Sequence, residues 1–302
     1  MREVEVSFCN TRGVKLVGTL ALTDAPGPVV LCCQGLSGNR KVVFPDIAAH
    51  FASRGISSLR FDYSGYGDSE GERGWIDPRA RVDDALSALA FLIDREGLKS
   101  HGIGVYGHSY GGAVAIHVAA RDQRVGAAVS ISGPGDGVAM LRAYRPAWEW
   151  IALRNGLDQE RAAIAGGADP TVVPILDIFK LSPEFEAEYR KLVASQGGTS
   201  AQVAGSGLGV SECYLASADA ICDFHPQVAA ANLTHAPLLL VSGTDDAAVP
   251  VETVEPVYQA APGPKRWILI PNANHNTLDS EPGLGVAASH AADWFTKYLT
   301  AQ

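Results

Sequence analysis

A short apolar run, Ile103-Gly-Val-Tyr106, breaks into Gly107-His-Ser-Tyr-Gly-Gly112 and continues as the alanine-rich stretch ending at Arg121. The first run reads as a strand and residues 110–121 read as a helix, so only residues 107–109 remain to join them. A chain makes that junction only with a tight turn whose side chains let strand and helix close up. Gly107 and Gly111 meet that demand. The turn lifts Ser109 clear of the sheet, and the amides of the helix's first turn point at the same spot, where negative charge is favoured. Ser109 is therefore the expected nucleophile.

The same alternation of strand and helix runs through most of the chain. Val4 to Cys9 and Lys15 to Leu22 flank a Thr-Arg-Gly turn and suggest an antiparallel hairpin. Val29 to Cys33 is a continuous apolar run, as expected of a strand buried on both faces. Helical spacing near Pro45–Arg54, a strand at Ile56–Phe61, a helix over Asp77–Arg95 and a strand at Val125–Ser132 follow. Such a rhythm implies right-handed crossovers, a mainly parallel sheet and helices on both faces. It stops at Gly133-Pro-Gly135 and resumes with strands at Leu238–Ser242 and Arg266–Ile270 and a closing amphipathic helix near Val286–Leu299. Residues 134–232 read as helical and aromatic, without clear strands. Tyr144, Trp148 and Ile151 stand at helical spacing there, followed by Phe179, Phe185 and Tyr189, and Gln196–Gly209 is the most flexible-looking stretch. The expectation is an α/β fold with eight strands, a core formed by 1–133 and 233–302, and a helical cap, 134–232, inserted after the sixth strand.

Composition removes several function classes. With 33 acidic against 24 basic residues the net charge is -9, which disfavours binding to a phosphate backbone. No apolar stretch is long enough to span a bilayer, and the N-terminus alternates like a strand rather than carrying a signal-peptide core. Five scattered cysteines without a CxxC pair argue against zinc or disulfide frameworks, so a reducing cytoplasm is the expected compartment. The expected partner is a small acyl substrate, with no nucleic acid and no membrane; the oligomeric state stays open, a homodimer included.

A serine hydroxyl needs a base, and the base needs an orienting acid. The strand at 266–270 runs into Pro271-Asn-Ala-Asn-His275, which puts His275 at the sheet edge where Ser109 sits. Asp245 and Asp246 follow the strand at 238–242, and Asp136 follows the sixth strand. In these features the chain resembles the α/β-hydrolase family over 1–133 and 233–302. Gly243, Asp246, Val249 and Pro250 match the family's Gly-x-x-Asp-x-x-Val-Pro. The resemblance implies Asp246 as the acid, with Asp245 and Asp136 as alternatives, and His275 as the catalytic histidine.

Acyl transfer places negative charge on the carbonyl oxygen, and fixed amide donors are worth about 3 kcal/mol each there. One donor is expected from Tyr110, the residue after the nucleophile. The resemblance assigns the second to Leu36 in Gln34-Gly-Leu-Ser-Gly38, where Gln34 replaces a frequent histidine. The loop Arg60-Phe-Asp-Tyr-Ser-Gly-Tyr-Gly-Asp-Ser-Glu-Gly71 also resembles the family and reads as turn structure and packing. His108 reads as packing, His117 as a core or surface residue. His50, His101, His225, His235 and His290 have no partner that the sequence identifies.

The expected activity is hydrolysis of a carboxylic ester or thioester through Ser109, Asp246 and His275, requiring no metal and no organic cofactor. An amidase, a peptidase or an acyltransferase would use the same three residues, and a ligand-binding receptor on this fold is an alternative of another class. Tyr144, Trp148 and Phe179, with Trp150 and Phe185, are the candidates for an acyl pocket, beside the simpler reading that they form the cap's own core.

Overall fold

The computed structural model describes residues 1–36, 38–94, 102–183, 186–187 and 212–299. Eight strands form one sheet in the order β1-β2-β4-β3-β5-β6-β9-β10, where β1 is Arg2–Cys9, β2 Lys15–Leu22, β3 Val29–Cys33, β4 Ser57–Phe61, β5 Ile103–His108, β6 Val125–Ile131, β9 Leu238–Gly243 and β10 Lys265–Ile270. β2 runs antiparallel to both neighbours, and the other pairings are parallel. The hairpin turn before β2 is closed by Asn10, whose Oδ1 accepts from the amides of Arg12 and Val14, both at 2.9 Å.

Every residue of β3 is buried, and successive side chains serve opposite layers. Leu31 and Cys33 join Leu59, Val105 and Leu240 on one face. Val30 and Cys32 join Tyr106, Val129 and Leu239 on the other. Two helices cover the second face, α1 (Phe44–Ser53) and the closing helix α11 (Gly283–Leu299), which pack on each other. Phe51 meets Phe295 edge to face at 5.8 Å between ring centres, and burying a ring of that size stabilises by roughly 2–3 kcal/mol. On the first face lie α2 (Pro78–Ile93), capped by Asp77 through the amides of Arg79 and Ala80, and α3 (Tyr110–Arg121).

β3 lies between β4 and β5. The chain therefore leaves β3 for one side of the sheet and, after β4, crosses back to the other. Loops that diverge in this way open a crevice at the strands' C-terminal ends, the usual ligand position in open α/β sheets. The crevice falls between the loop after β3 and the turn after β5, which hold Leu36 and Ser109.

Between β6 and β9 the structure has α4 (Gly137–Arg142), α5 (Ala147–Ala165), β7 (Val172–Pro174), α6 (Ile175–Ile178), β8 (Glu212–Tyr214), α7 (Ser217–Cys222) and α8 (Pro226–Ala231). The expectation of no strands here needs correcting, since β7 and β8 pair antiparallel, Val173 opposite Cys213. Three residues are too few for alternation to show, and the partner strand is remote in sequence. α8 packs on α3 and on α9 (Val251–Ala260), beside the sheet. α9 has no counterpart in the sequence reading because Pro256 lies inside it. Phe185, Tyr189, Gln196–Gly209 and His101 lie outside the described residues. Among the described residues no helix is long and apolar enough to cross a membrane.

Candidate active site

Ser109 occupies the turn between β5 and α3 with φ 54 and ψ -130, a left-handed conformation that costs a residue with a side chain roughly 1–3 kcal/mol. Its surroundings hold it there: the Ser109 amide donates to the Ile131 carbonyl at 2.8 Å, and its carbonyl accepts from Gly112 at 2.8 Å. The flanking glycines are steric necessities. A Cβ on Gly107 would lie 2.0 Å from the Gly111 oxygen, and one on Gly111 would lie 2.0 Å from the Cys33 oxygen.

His275 opens the short helix α10 (His275–Leu278) after β10, where Asn274 caps the helix and Thr277 returns a bond to the cap backbone. Its Nε2 is 3.0 Å from the Ser109 hydroxyl, and its Nδ1 is 2.8 Å from Asp246 Oδ2. The other Asp246 oxygen accepts from the amides of Ala248 at 3.0 Å and Val249 at 2.8 Å, so the carboxylate is aimed by backbone. An ionised carboxylate only accepts, which assigns the proton to Nδ1 and leaves Nε2 free to receive one from Ser109. Burial works against the charge on Asp246, but the His275 ring and the Val249 amide outweigh it and hold this carboxyl below the usual range. Burial likewise pulls His275 down, and Asp246 more than restores it, leaving its pKa above the ordinary histidine value.

The alternative acids go elsewhere. Asp245 accepts from the Thr244 hydroxyl at 2.9 Å. Asp136 caps α4 through the Ala139 amide and binds His225 Nδ1 and Gln227, each at 2.8 Å. Two further histidines without a sequence-identified partner find one, His50 meeting Glu281 at 2.7 Å and His235 the Asp122 carbonyl at 3.3 Å, and His117 stacks on Phe224 at 4.2 Å.

Tyr110 is the first residue of α3, so its amide is among those a helix leaves unpaired. Leu36 and Tyr110 line one cavity with Ser109 and His275. A Cβ built on Gly35 would sit 3.5 Å from that of Ser109, so the loop after β3 abuts the serine. Buried Gln34 anchors this loop from below, donating to the Phe61 carbonyl and, at 3.4 Å, to Asp62 Oδ1. Asp62 also accepts from the amides of Arg40 at 2.7 Å and Asp68 at 3.0 Å and pairs with the Arg40 guanidinium. The loop after β4 thus braces the loop after β3, in line with its reading as turn structure.

The cavity measures about 300 Å³, and its walls are mostly apolar: Met140, Ile175, Leu176 and Phe179 from the segment after β6, with Phe44 and Val249 opposite. Of the expected pocket residues that the structure describes, Phe179 lines it and Tyr144, Trp148 and Trp150 do not, while Phe185 lies outside the described residues. Tyr144, in the turn before α5, and Trp148, in the first turn of α5, are 43% and 69% exposed and lie outside the lining. Met140, Ile175 and Leu176 escaped the sequence reading, since α4 and α6 are too short for an apolar period to emerge. His108 also departs from its reading as plain packing. It lines the cavity with its Nε2 3.1 Å from Asp279 Oδ1 and its ring centre 6.0 Å from that of His275. Burial holds its pKa below the ordinary value despite the neighbouring Asp279. Arg81 was missed as well, although it stands in register with the buried face of α2, Ala85, Leu89 and Leu92, where a charge is out of place.

The sequence profile of the family described as serine aminopeptidase, S33, matches residues 24–283. The chain is 30% identical over 278 residues to thiohydrolase aneE of Aspergillus aculeatus, covering 91% of this chain and 86% of that protein. It is 25% identical over 287 residues to polyketide transferase ATR5 of Stachybotrys chlorohalonatus, covering 94% and 93%. Among solved structures, DcsB in complex with its substrate analogue matches with a TM-score of 0.83 at 20% identity, covering 99% of this chain and 100% of that one. The α/β hydrolase GrgF from Penicillium sp. sh18 matches with a TM-score of 0.81 at 19% identity, covering 99% of each chain. A profile that spans most of the sheet, a relative matched over nearly the whole chain and two solved structures of the same architecture agree. The chain belongs to the serine aminopeptidase, S33, family and is an enzyme of the α/β-hydrolase fold.

Proposed function

We propose that this hydrolase cleaves a carboxylic ester or thioester through a covalent intermediate on Ser109. The observation that carries the reading is the run of hydrogen bonds from Ser109 through His275 to Asp246 at the floor of an apolar cavity. His275 Nε2 takes the Ser109 proton as Oγ bonds to the substrate carbonyl carbon. The carbonyl oxygen becomes an oxyanion held by the Leu36 and Tyr110 amides. The intermediate collapses, the bond to the leaving oxygen or sulfur breaks, and His275 returns the proton to that atom. Water then loses a proton to His275 and attacks the acyl carbon; the bond from that carbon to Ser109 Oγ breaks, His275 returns the proton to Oγ, and the acid leaves.

The apolar walls favour an uncharged acyl chain, and the segment after β6, acting as a cap, would set its length and shape. The activities for which two relatives are named bear on the acceptor. A thiohydrolase supports water as the acceptor, whereas a polyketide transferase supports a second reading in which an acceptor other than water takes the acyl group.

A panel of p-nitrophenyl esters, acyl thioesters and aminoacyl amides tests the proposal, run with and without a primary alcohol. Turnover of esters or thioesters is expected, together with fluorophosphonate labelling that Ser109→Ala abolishes. Acyl-alcohol product at the expense of free acid would favour the transferase reading, and turnover confined to amides would sink the ester assignment. Labelling that survives Ser109→Ala would remove that residue from the chemistry.

A further inference from the structure

Arg81, in the first turn of α2, is buried at 3% exposure beneath the loop after β3, whose carbonyls it binds. Its Nη1 donates to the Gly35 carbonyl at 3.0 Å and its Nη2 to the Leu36 carbonyl at 2.5 Å. The guanidinium carbon stands 5.0 Å from the ring centre of Tyr63, 4.5 Å from that of Tyr66 and 5.8 Å from that of Tyr110. A buried arginine is ordinarily matched to a carboxylate. This one is spent on two successive carbonyls and three rings.

Resting on the hydrolase reading above, we infer that Arg81 is the positioning residue of the oxyanion hole, clamping the peptide that carries the Leu36 donor and packing beneath the residue that carries the Tyr110 donor. The Gly35 carbonyl and the Leu36 amide belong to one planar trans peptide, whose C=O and N–H point in opposite directions. Holding the carbonyl on the Arg81 side therefore turns the N–H to the other side, toward the cavity that Leu36 lines. Without the clamp, glycine at 35 leaves that peptide free to rotate and present its oxygen to the developing negative charge. The charged donor also polarises the peptide it holds, which strengthens the N–H as a donor. The fork is needed because two neighbouring carbonyls must be bound at once, and an ammonium group has no planar pair of donors for that.

The test compares the chain with Arg81→Met and Arg81→Lys on p-nitrophenyl butyrate and on its thiono counterpart, in which sulfur replaces the carbonyl oxygen. Sulfur is a poor hydrogen-bond acceptor, so the thiono ester draws little from the hole. Arg81→Met is expected to lower kcat on the oxygen ester roughly 10- to 100-fold with KM little changed. The thiono ester should suffer far less, and Arg81→Lys should recover part of the loss. An equal fall on both esters in a variant that melts like the unsubstituted chain would overturn the inference. Should Arg81→Met not fold, Arg81→Lys gives the same comparison. A crystal structure of Arg81→Met, which has no donor for either carbonyl, decides the clamp without any substrate: a rotated Gly35–Leu36 peptide upholds it, and an unmoved one overturns it. If the unsubstituted chain cleaved neither ester, the hydrolase reading would fail by itself and the crystal structure would still judge the clamp.

Discussion

Helices α3 and α5 meet the rest of the molecule in opposite ways. Nine of the twelve residues of α3 are buried, so the helix behind Ser109 cannot shift without the sheet shifting too. In α5 two of nineteen are buried, Leu157 and Glu160, so this helix is tied down at few points. Glu160 accepts from the amide and hydroxyl of Thr171, both at 2.7 Å. Arg145, just ahead of α5, binds the carbonyls of Leu141, Asp177 and, at 2.7 Å, Ile178. The turn that carries the proposed nucleophile is thus over-determined, while α5 is fixed at few positions, polar anchors among them. Strain at Ser109 can persist only in the first kind of setting. Altered selectivity is easier to reach in the second.

The comparison can be broken by substitution. At the rigid end, His275→Ala should reduce kcat/KM on a p-nitrophenyl ester by about four orders of magnitude or more, measured at saturating enzyme purity. Asp246→Asn should cost nearly as much, roughly 10⁴-fold, because it favours the wrong imidazole tautomer. Asp245→Asn should stay within about twofold; the reverse ranking would reassign the acid. Stability should divide the same way. Ile116→Ala in α3 should lower the unfolding free energy by about 2–5 kcal/mol in a urea titration. Trp148→Ala in α5 should change it by about 0.5 kcal/mol or less, and a larger loss would mean that α5 is better packed than its exposure indicates.

Smaller effects sharpen the contrast. Phe179→Ala should enlarge the cavity and shift preference among p-nitrophenyl esters toward longer or bulkier acyl groups, by roughly tenfold in the kcat/KM ratio. Unchanged ratios would place acyl selection outside the segment after β6. Only neutral His275 can accept the serine proton, and Asp246 raises its pKa. Activity should therefore rise with pH through a midpoint above the ordinary histidine value of about 6.5. The residual activity of Asp246→Asn should rise through a lower one.

Sequence periodicity recovered all eight strands of the main sheet to within a residue or two. The central strands are continuous apolar runs and the first hairpin alternates, patterns that burial on two faces or one imposes directly. The same reasoning lost α9 to Pro256 and lost β7 and β8 to their brevity. In the site, Ser109 and His275 were legible because each sits within a few residues of a strand end. The choice between Asp245 and Asp246 was legible only through resemblance, since adjacent residues share the same local signals. The cavity walls were largely misread. Large aromatics drew attention in α5, yet the lining comes from Met140, Ile175 and Leu176.

The sequence by itself determined the α/β architecture and the edge of the sheet where the polar residues gather. Those properties follow from short-range patterns: periods of burial, glycines at a turn, a histidine after a strand. Only the tertiary structure decided which carboxylate reaches His275, which side chains enclose the cavity, and that Arg81 spans two carbonyls behind the loop after β3. Each of these depends on segments far apart in the chain. Their meeting is set by how helices and loops pack on the sheet, and no local window of residues encodes it.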